Sequence, residues 1–231
     1  MTTQLIAMHG WAGDSRGWQP WLDAAASTAA REWQWTLPDR GYGPLAARSV
    51  DWNPQARRRV VIGHSLGPHL LPAALLERAD AVVLLASFGQ FLPDGRPGRQ
   101  LRTALAGMAA ALAGTGAEAM LRAFLGEAAA PQPFSALTST ILDAPLNAAG
   151  RRRLLADLAL LESRRQLPEA LAASVPCLIV EAGHDRIVGP AMRRQLRQER
   201  PQATLLEYPD AGHCLLQTPV LADVIAWIGS L

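Results

Sequence analysis

Ser65 stands between Gly63 and Gly67 at the end of an apolar run, in "VVIGHSLG". A serine hydroxyl is a poor nucleophile until a base takes its proton, so the five histidines are the next residues to weigh. His9 and His64 are built into glycine motifs, His69 lies one helical turn past Ser65 and would point elsewhere, and His184 sits beside Asp185. His213, in the loop "PDAGHCLL", is the one free to reach Ser65 as general base. An imidazole in that role needs a carboxylate to fix its tautomer and stabilise its charge. Asp185, in "EAGHDRIV", is the candidate. Asp210 is the rival, but three residues before His213 it is better placed to tie down its own loop. Two N–H donors must then hold an oxyanion. Leu66 offers one, at a helix N-terminus where the dipole helps. Trp11 offers the other, because Gly10 lets "HGWAGD" turn sharply, with His9 as a brace for that loop. The chemistry of such a set is acyl transfer through a covalent intermediate.

G-x-S-x-G alone is weak, since chance supplies roughly 0.07 matches in a chain of this length and composition. Its setting is the stronger signal: "GHSLG" directly follows the strand "RRVVI" and opens a helix. The serine must adopt an unfavourable backbone conformation to project its hydroxyl, and glycines without Cβ let strand and helix pass closely. The histidines do not read as a metal site: there is no H-x-x-x-H pair, and His64 and His69 fall off a common helical face. No metal or organic cofactor is expected.

These residues need a scaffold that gathers distant segments at one rim. Short apolar runs supply it: "QLIAMHG", "WQWTLPDRGYG", "RRVVIGHS", "DAVVLLAS", "VPCLIVEAG" and "ATLLEYPDAG" read as six strands. Helices are expected between them at "GWQPWLDAAASTAAREW", at "LGPHLLPAALLER" with Pro72 kinking it, and at "TPVLADVIAWIGSL". Uniformly apolar strands alternating with helices predict an α/β fold with a small, mostly parallel sheet covered on both faces. In such sheets ligands gather at the carboxyl ends of the strands, where every candidate residue above lies. Residues 88–168 break the rhythm with three helical stretches and no strand, an insertion expected to form a lid over that rim. Its apolar positions recur at helical spacing and pack on the core, and a few of them, Met108 and Phe124 among these, are candidates to line a pocket with Trp11, Leu66 and Phe88.

The bulk properties exclude several other classes. The 231 residues fit one domain, 1–231, with the insertion inside it. A net charge of +2 without an aromatic-studded basic stripe gives no reason to expect nucleic acid. The most apolar region, 70–88, is interrupted by Glu77, Arg78 and Asp80, against a membrane span. The N-terminus has no basic segment followed by a long apolar one, so no secretory signal is expected. Cys177 and Cys214 are too few for a disulfide framework and suggest a reducing, cytoplasmic setting. A monomer is expected.

The motifs "HGW", "PDRGYG", "GHSLG", "GHDRIV" and "PDAGH" together resemble those of the α/β-hydrolases over essentially the whole chain. The short core, the opening "MHGWAGDSRGW" and the lid position are similar to the esterases that demethylate pimeloyl-acyl carrier protein methyl ester in biotin synthesis. That resemblance implies the roles given above to Ser65, Asp185 and His213, and a sheet lacking the family's leading hairpin. It also implies an acidic acyl carrier protein as partner. Lid arginines would steer it electrostatically: Arg99, Arg102, Arg122, Arg151, Arg152 and Arg153. Other readings of the same residues are a hydrolase of small esters, a thioesterase, or a binding protein on the same fold. Dehalogenases and epoxide hydrolases place a carboxylate where Ser65 stands.

Overall fold

The computed structural model describes residues 2–215 and 218–231. Its strands are β1 (Thr3–Met8), β2 (Gln34–Thr36), β3 (Arg58–His64), β4 (Ala81–Leu85), β5 (Cys177–Ala182) and β6 (Thr204–Tyr208). All six expected strands are present. They form one sheet in the order β2-β1-β3-β4-β5-β6, and every pairing is parallel. The reason lies in their side chains: β1, β4 and β5 are buried along their whole lengths, as strands covered on both faces must be. The edges are short or partly wet, β2 with three residues and β6 with Leu205 36% exposed.

Successive side chains of a strand point to opposite faces, and the core divides accordingly. Leu5, Ala7, Val60 and Ile62 pack with Trp18, Trp21, Val224 and Ile228 on one face. Ile6, Met8, Val61 and Leu84 pack with Trp52, Leu75, Leu76 and Leu196 on the other.

The helices are α1 (Gln19–Ala25), α2 (Gly67–Leu70), α3 (Ala73–Leu76), α4 (Gly95–Ala113), α5 (Ala117–Ala129), α6 (Ala148–Ser163), α7 (Pro190–Glu199) and α8 (Thr218–Gly229). Three differences from the sequence expectation have local causes. The helix expected over residues 17–33 is broken after Ala25, where the Ser27 and Thr28 hydroxyls bond back to the Ala24 and Ala25 carbonyls. Pro72 ends a helix rather than kinking it: Leu71 before it is extended (ψ 145°), leaving the single turns α2 and α3. Helix α7 was not expected, because its arginines mask the buried pair Met192 and Leu196, four residues apart.

Helices α4, α5 and α6 fall where the insertion was expected, between β4 and β5. They enclose a third apolar cluster containing Trp11, Tyr42, Phe88, Leu105, Leu121 and Leu154, beyond the carboxyl ends of the strands. Among the described residues no helix is long and apolar enough to cross a membrane.

Candidate active site

The turn after β3 is tight enough that only glycine fits on either side of the serine. A Cβ on Gly63 would come 2.4 Å from the Pro68 ring, and one on Gly67 would come 2.4 Å from the Met8 carbonyl oxygen. Ser65 itself has φ +55°, a left-handed conformation that costs a non-glycine residue on the order of 1–3 kcal/mol. Strand β4 holds it there: Ser65 N–H donates to the Leu85 carbonyl (2.9 Å), and Ser87 Oγ donates to the Ser65 carbonyl (2.7 Å). Among the described residues two more that are not glycine have positive φ, Ala12 at +58° and Ala86 at +43°. Both also lie just past strand ends, so backbone strain is concentrated at this rim.

The loop after β1 runs directly past the serine. A Cβ on Gly10 would lie 2.9 Å from Ser65 Cβ and 3.4 Å from its Oγ. His9 is buried, with Nδ1 2.8 Å from the Gly10 carbonyl oxygen and Nε2 receiving the Arg40 N–H at 3.2 Å. These partners fix a neutral ring protonated on Nδ1, and burial, only partly offset by Gly10 and Asp39, holds its pKa below the ordinary value. Because the Gly10 carbonyl shares a peptide plane with the Trp11 N–H, tying down the oxygen aims the N–H. Among the described residues neither the Trp11 nor the Leu66 N–H donates to a protein acceptor. Helix α2 is a single turn, so at Leu66 it is the N–H itself, more than a macrodipole, that would stabilise an anion.

The brace extends into the inserted helices. Arg40 Nε and Nη2 donate to the two carboxylate oxygens of Asp157 on α6 (2.7 and 2.6 Å), and Tyr42 Oη donates to the same carboxylate at 2.5 Å. Trp11 Nε1 donates to the Leu154 carbonyl at 2.9 Å. Asp157 was missed in the sequence, although an aspartate on the face made by Leu154, Leu158 and Leu161 is the kind of buried charge that needs a partner.

His213 and Asp185 come from the loops after β6 and β5. His213 Nδ1–H donates to Asp185 Oδ2 at 2.9 Å, leaving Nε2 free to accept a proton. Asp185 Oδ1 receives the Ile187 and Val188 N–H groups at 2.7 and 2.8 Å. Burial pushes this carboxyl's pKa up, but His213 and the two N–H donors outweigh it, and the group lies below the usual value. His64 Nε2–H donates to the His213 carbonyl at 2.9 Å, a positioning contact that the sequence left unassigned. Burial, with His213 adding to it, pushes the His64 pKa down to about 3, so the ring is neutral. Asp210 is exposed, and its loop is tied instead by backbone bonds from Gly183 and Ala211 to the Tyr208 carbonyl.

Ser65 and His213 open into one cavity of about 100 Å³. Trp11 and Phe124 line it, ring edge to face at 4.9 Å, together with Leu125, Ala128 and Leu137. Three residues expected at the pocket lie elsewhere. Leu66 and Phe88 are fully buried behind it, Phe88 stacked on His69, and Met108 packs within the helical cluster. The polar walls that sequence reasoning missed are Asp14, Ser139, Thr140 and Cys214.

The six arginines differ in what they bond. Arg151 donates to the Leu112 and Gly114 carbonyls at the end of α4, and Arg153 to the Gly41 carbonyl. Arg102 pairs with Glu162 and Arg122 with Glu118. Arg99 and Arg152 are exposed.

The model of the alpha/beta hydrolase family matches residues 5–222. No curated protein sequence matches the chain. Similar solved structures include an esterase from Exiguobacterium antarcticum, with TM-score 0.75, 13% identity and coverage of 98% of this chain and 92% of that one. A methylesterase from Arabidopsis gives TM-score 0.63 and 14% identity over 99% of this chain and 100% of that one. BioG from Haemophilus influenzae gives TM-score 0.62 and 12% identity over 93% and 90%.

Proposed function

The chain belongs to the alpha/beta hydrolase family, and from that premise we propose that it is a serine ester hydrolase working through Ser65, His213 and Asp185. The observation that carries the proposal is the shared cavity: strained Ser65 and the imidazole of His213, itself held by Asp185 at 2.9 Å, open into one space that Trp11 also lines, and the N–H groups of Trp11 and of Leu66, the residue after the serine, have no acceptor among the described residues.

In the first step His213 Nε2 takes the Ser65 proton as Oγ bonds to the ester carbonyl carbon. The carbonyl oxygen becomes an oxyanion held by the N–H groups of Trp11 and Leu66. The carbon–alkoxy bond then breaks, and His213 returns its proton to the leaving alcohol. Water, deprotonated by the same imidazole, attacks the acyl-enzyme; the carbon–Oγ bond breaks and Ser65 recovers its proton, releasing a carboxylic acid. Asp185 keeps the Nδ1–H tautomer and stabilises the transient imidazolium. Helices α4 to α6 act as the lid, with Phe124 and Leu125 of α5 walling the cavity.

The substrate proposed is a methyl ester at the end of a pimeloyl chain carried on acyl carrier protein. Its support is the likeness of the opening "MHGWAGDSRGW" and the other motifs to the biotin-pathway esterases. Arg99 and Arg152 remain available for an acidic carrier, whereas Arg151 and Arg153 are committed within the fold. The small cavity favours a second reading, a hydrolase of small free esters. Turnover of pimeloyl-carrier methyl ester and of p-nitrophenyl acetate, with Ser65→Ala beside each, tests both. Hydrolysis of the carrier ester by the wild type alone supports the first reading. Hydrolysis of the nitrophenyl ester alone supports the second. Full activity in Ser65→Ala would overturn the mechanism.

A further inference from the structure

The cavity at Ser65 adjoins a second one. A space of about 150 Å³ lies beside it, and the two share Gly17, Leu137, Ser139 and Cys214 as walls. Its far side is formed by Gln132, Pro131 and Asp210. A substrate arm passing these shared walls would take a path from the nucleophile toward a more polar, solvent-facing end.

The charges along this path are one-sided. Among the described residues that line either space there is no arginine, and the only carboxylates are Asp14 and Asp210. The nearby cation, Arg16, is fully engaged: Nε and Nη2 bond Asp14, Nη1 bonds Asp143 at 2.8 Å, and Nη2 also bonds the Thr140 carbonyl at 2.8 Å. His9 and His64, which line the inner space, are both held neutral by burial. A carboxylate on the substrate's arm would therefore face like charge from Asp210 at the solvent-facing end, with no cation among these walls to pair with, which is unfavourable.

A second, separate observation concerns Ser139. Its Oγ is shielded from solvent and has no hydrogen-bond partner, and the residue stands where the two spaces meet. An unpaired buried hydroxyl costs free energy that a ligand's polar group would recover, and a rotation about one side-chain bond is enough to turn it toward either space.

We propose that the site is selective for esters whose arm is uncharged and carries a hydrogen-bonding group that meets Ser139, and that it discriminates against arms ending in a free carboxylate. The inference rests on the ester-hydrolase reading above and narrows its substrate class. A carrier-bound thioester belongs to the accepted class; a free dicarboxylic monoester does not.

The test compares three methyl esters at each acyl length from four to eight carbons: the dimethyl diester, the monomethyl monoanion and the plain alkanoate. The expected kcat/KM for the best diester, per ester group, exceeds that of its monoanion by at least about 10-fold. Ser139→Ala should lower the diester value by about 10-fold and leave the alkanoate value within about 2-fold. A monoanion cleaved as well as its diester overturns the charge selectivity. A Ser139→Ala variant that lowers diester and alkanoate alike, or neither, overturns the role of Ser139. Failure of the underlying reading looks different: the wild type cleaves none of the three esters, or Ser65→Ala cleaves them equally well.

Discussion

His9 Nδ1 lies 2.8 Å from the carbonyl oxygen of Gly10, the residue immediately after it. The bond fixes the peptide plane that carries the Trp11 N–H, and the ring is itself held from behind by the Arg40 N–H. His9 is thus a positioning residue for a donor it never replaces. Substituting His9→Phe should lower kcat for ester hydrolysis by about 10- to 100-fold, less than complete removal of an oxyanion donor. KM should change little, because the interaction lost is made in the transition state. His9→Gln, with an amide donor, should recover part of the loss. Steady-state kinetics on one methyl ester checks this; a rise in KM at constant kcat would sink it.

Asp157 holds Arg40 and Tyr42 from helix α6. Asp157→Ala would leave two polar groups without their partner. The expected loss is about 2–3 kcal/mol, below the full cost of breaking a buried pair, because the Arg40 side chain is 33% exposed and keeps some water. Urea denaturation of the two proteins measures it. An unchanged midpoint would mean that the strap contributes nothing to stability.

Acid should destabilise the fold well above the carboxylate range. Burial pushes the pKa of His64 down to about 3 and that of His69 down to about 4, while both titrate near 6.5 when unfolded. The unfolded chain therefore binds more protons between these values, and stability falls as pH drops from 6.5 toward 4 and 3. Each ring contributes a slope of up to about 1.4 kcal/mol per pH unit. His69→Gln should flatten the fall between pH 6.5 and 4, read as urea midpoints at half-unit steps. Parallel curves for wild type and variant would contradict the assignment.

The elbow tolerates no side chain at residue 67. A Cβ there would sit 2.4 Å from the Met8 carbonyl oxygen, a backbone atom that cannot yield cheaply. Gly67→Ala is expected to lower thermal stability by at least about 2 kcal/mol, whereas Gly107→Ala, at an open helical position, should be neutral or slightly stabilising. Calorimetry on the pair separates a steric cause from a general glycine effect.

Much of this was legible in the sequence because it depends on local pattern. Buried strands announce themselves as apolar runs, so β1, β3, β4 and β5 were readable, and the residues after them could be assigned to one rim. The Asp185–His213 contact followed from where β5 and β6 end. Contacts made across the chain were not legible. Nothing near Asp157 names Arg40, 117 residues away, as its partner. Phe88 and Met108 look like pocket residues by type and proximity, and only packing directs them into the helical cluster. Arg151 and Arg153 show the same limit: their charge is legible, but their bonds to the Leu112, Gly114 and Gly41 carbonyls are not.

The sheet order sets the two halves of the chemistry apart. Ser65 and Gly10 follow the neighbouring strands β3 and β1, Asp185 and His213 follow β5 and β6, and β4 stands between them with the inserted helices leaving the chain just after it. A chain cut within those inserted segments would put nucleophile and base on separate fragments. Each fragment would be silent alone, and ester cleavage would report their reassembly, making the enzyme a natural candidate for a split sensor of proximity.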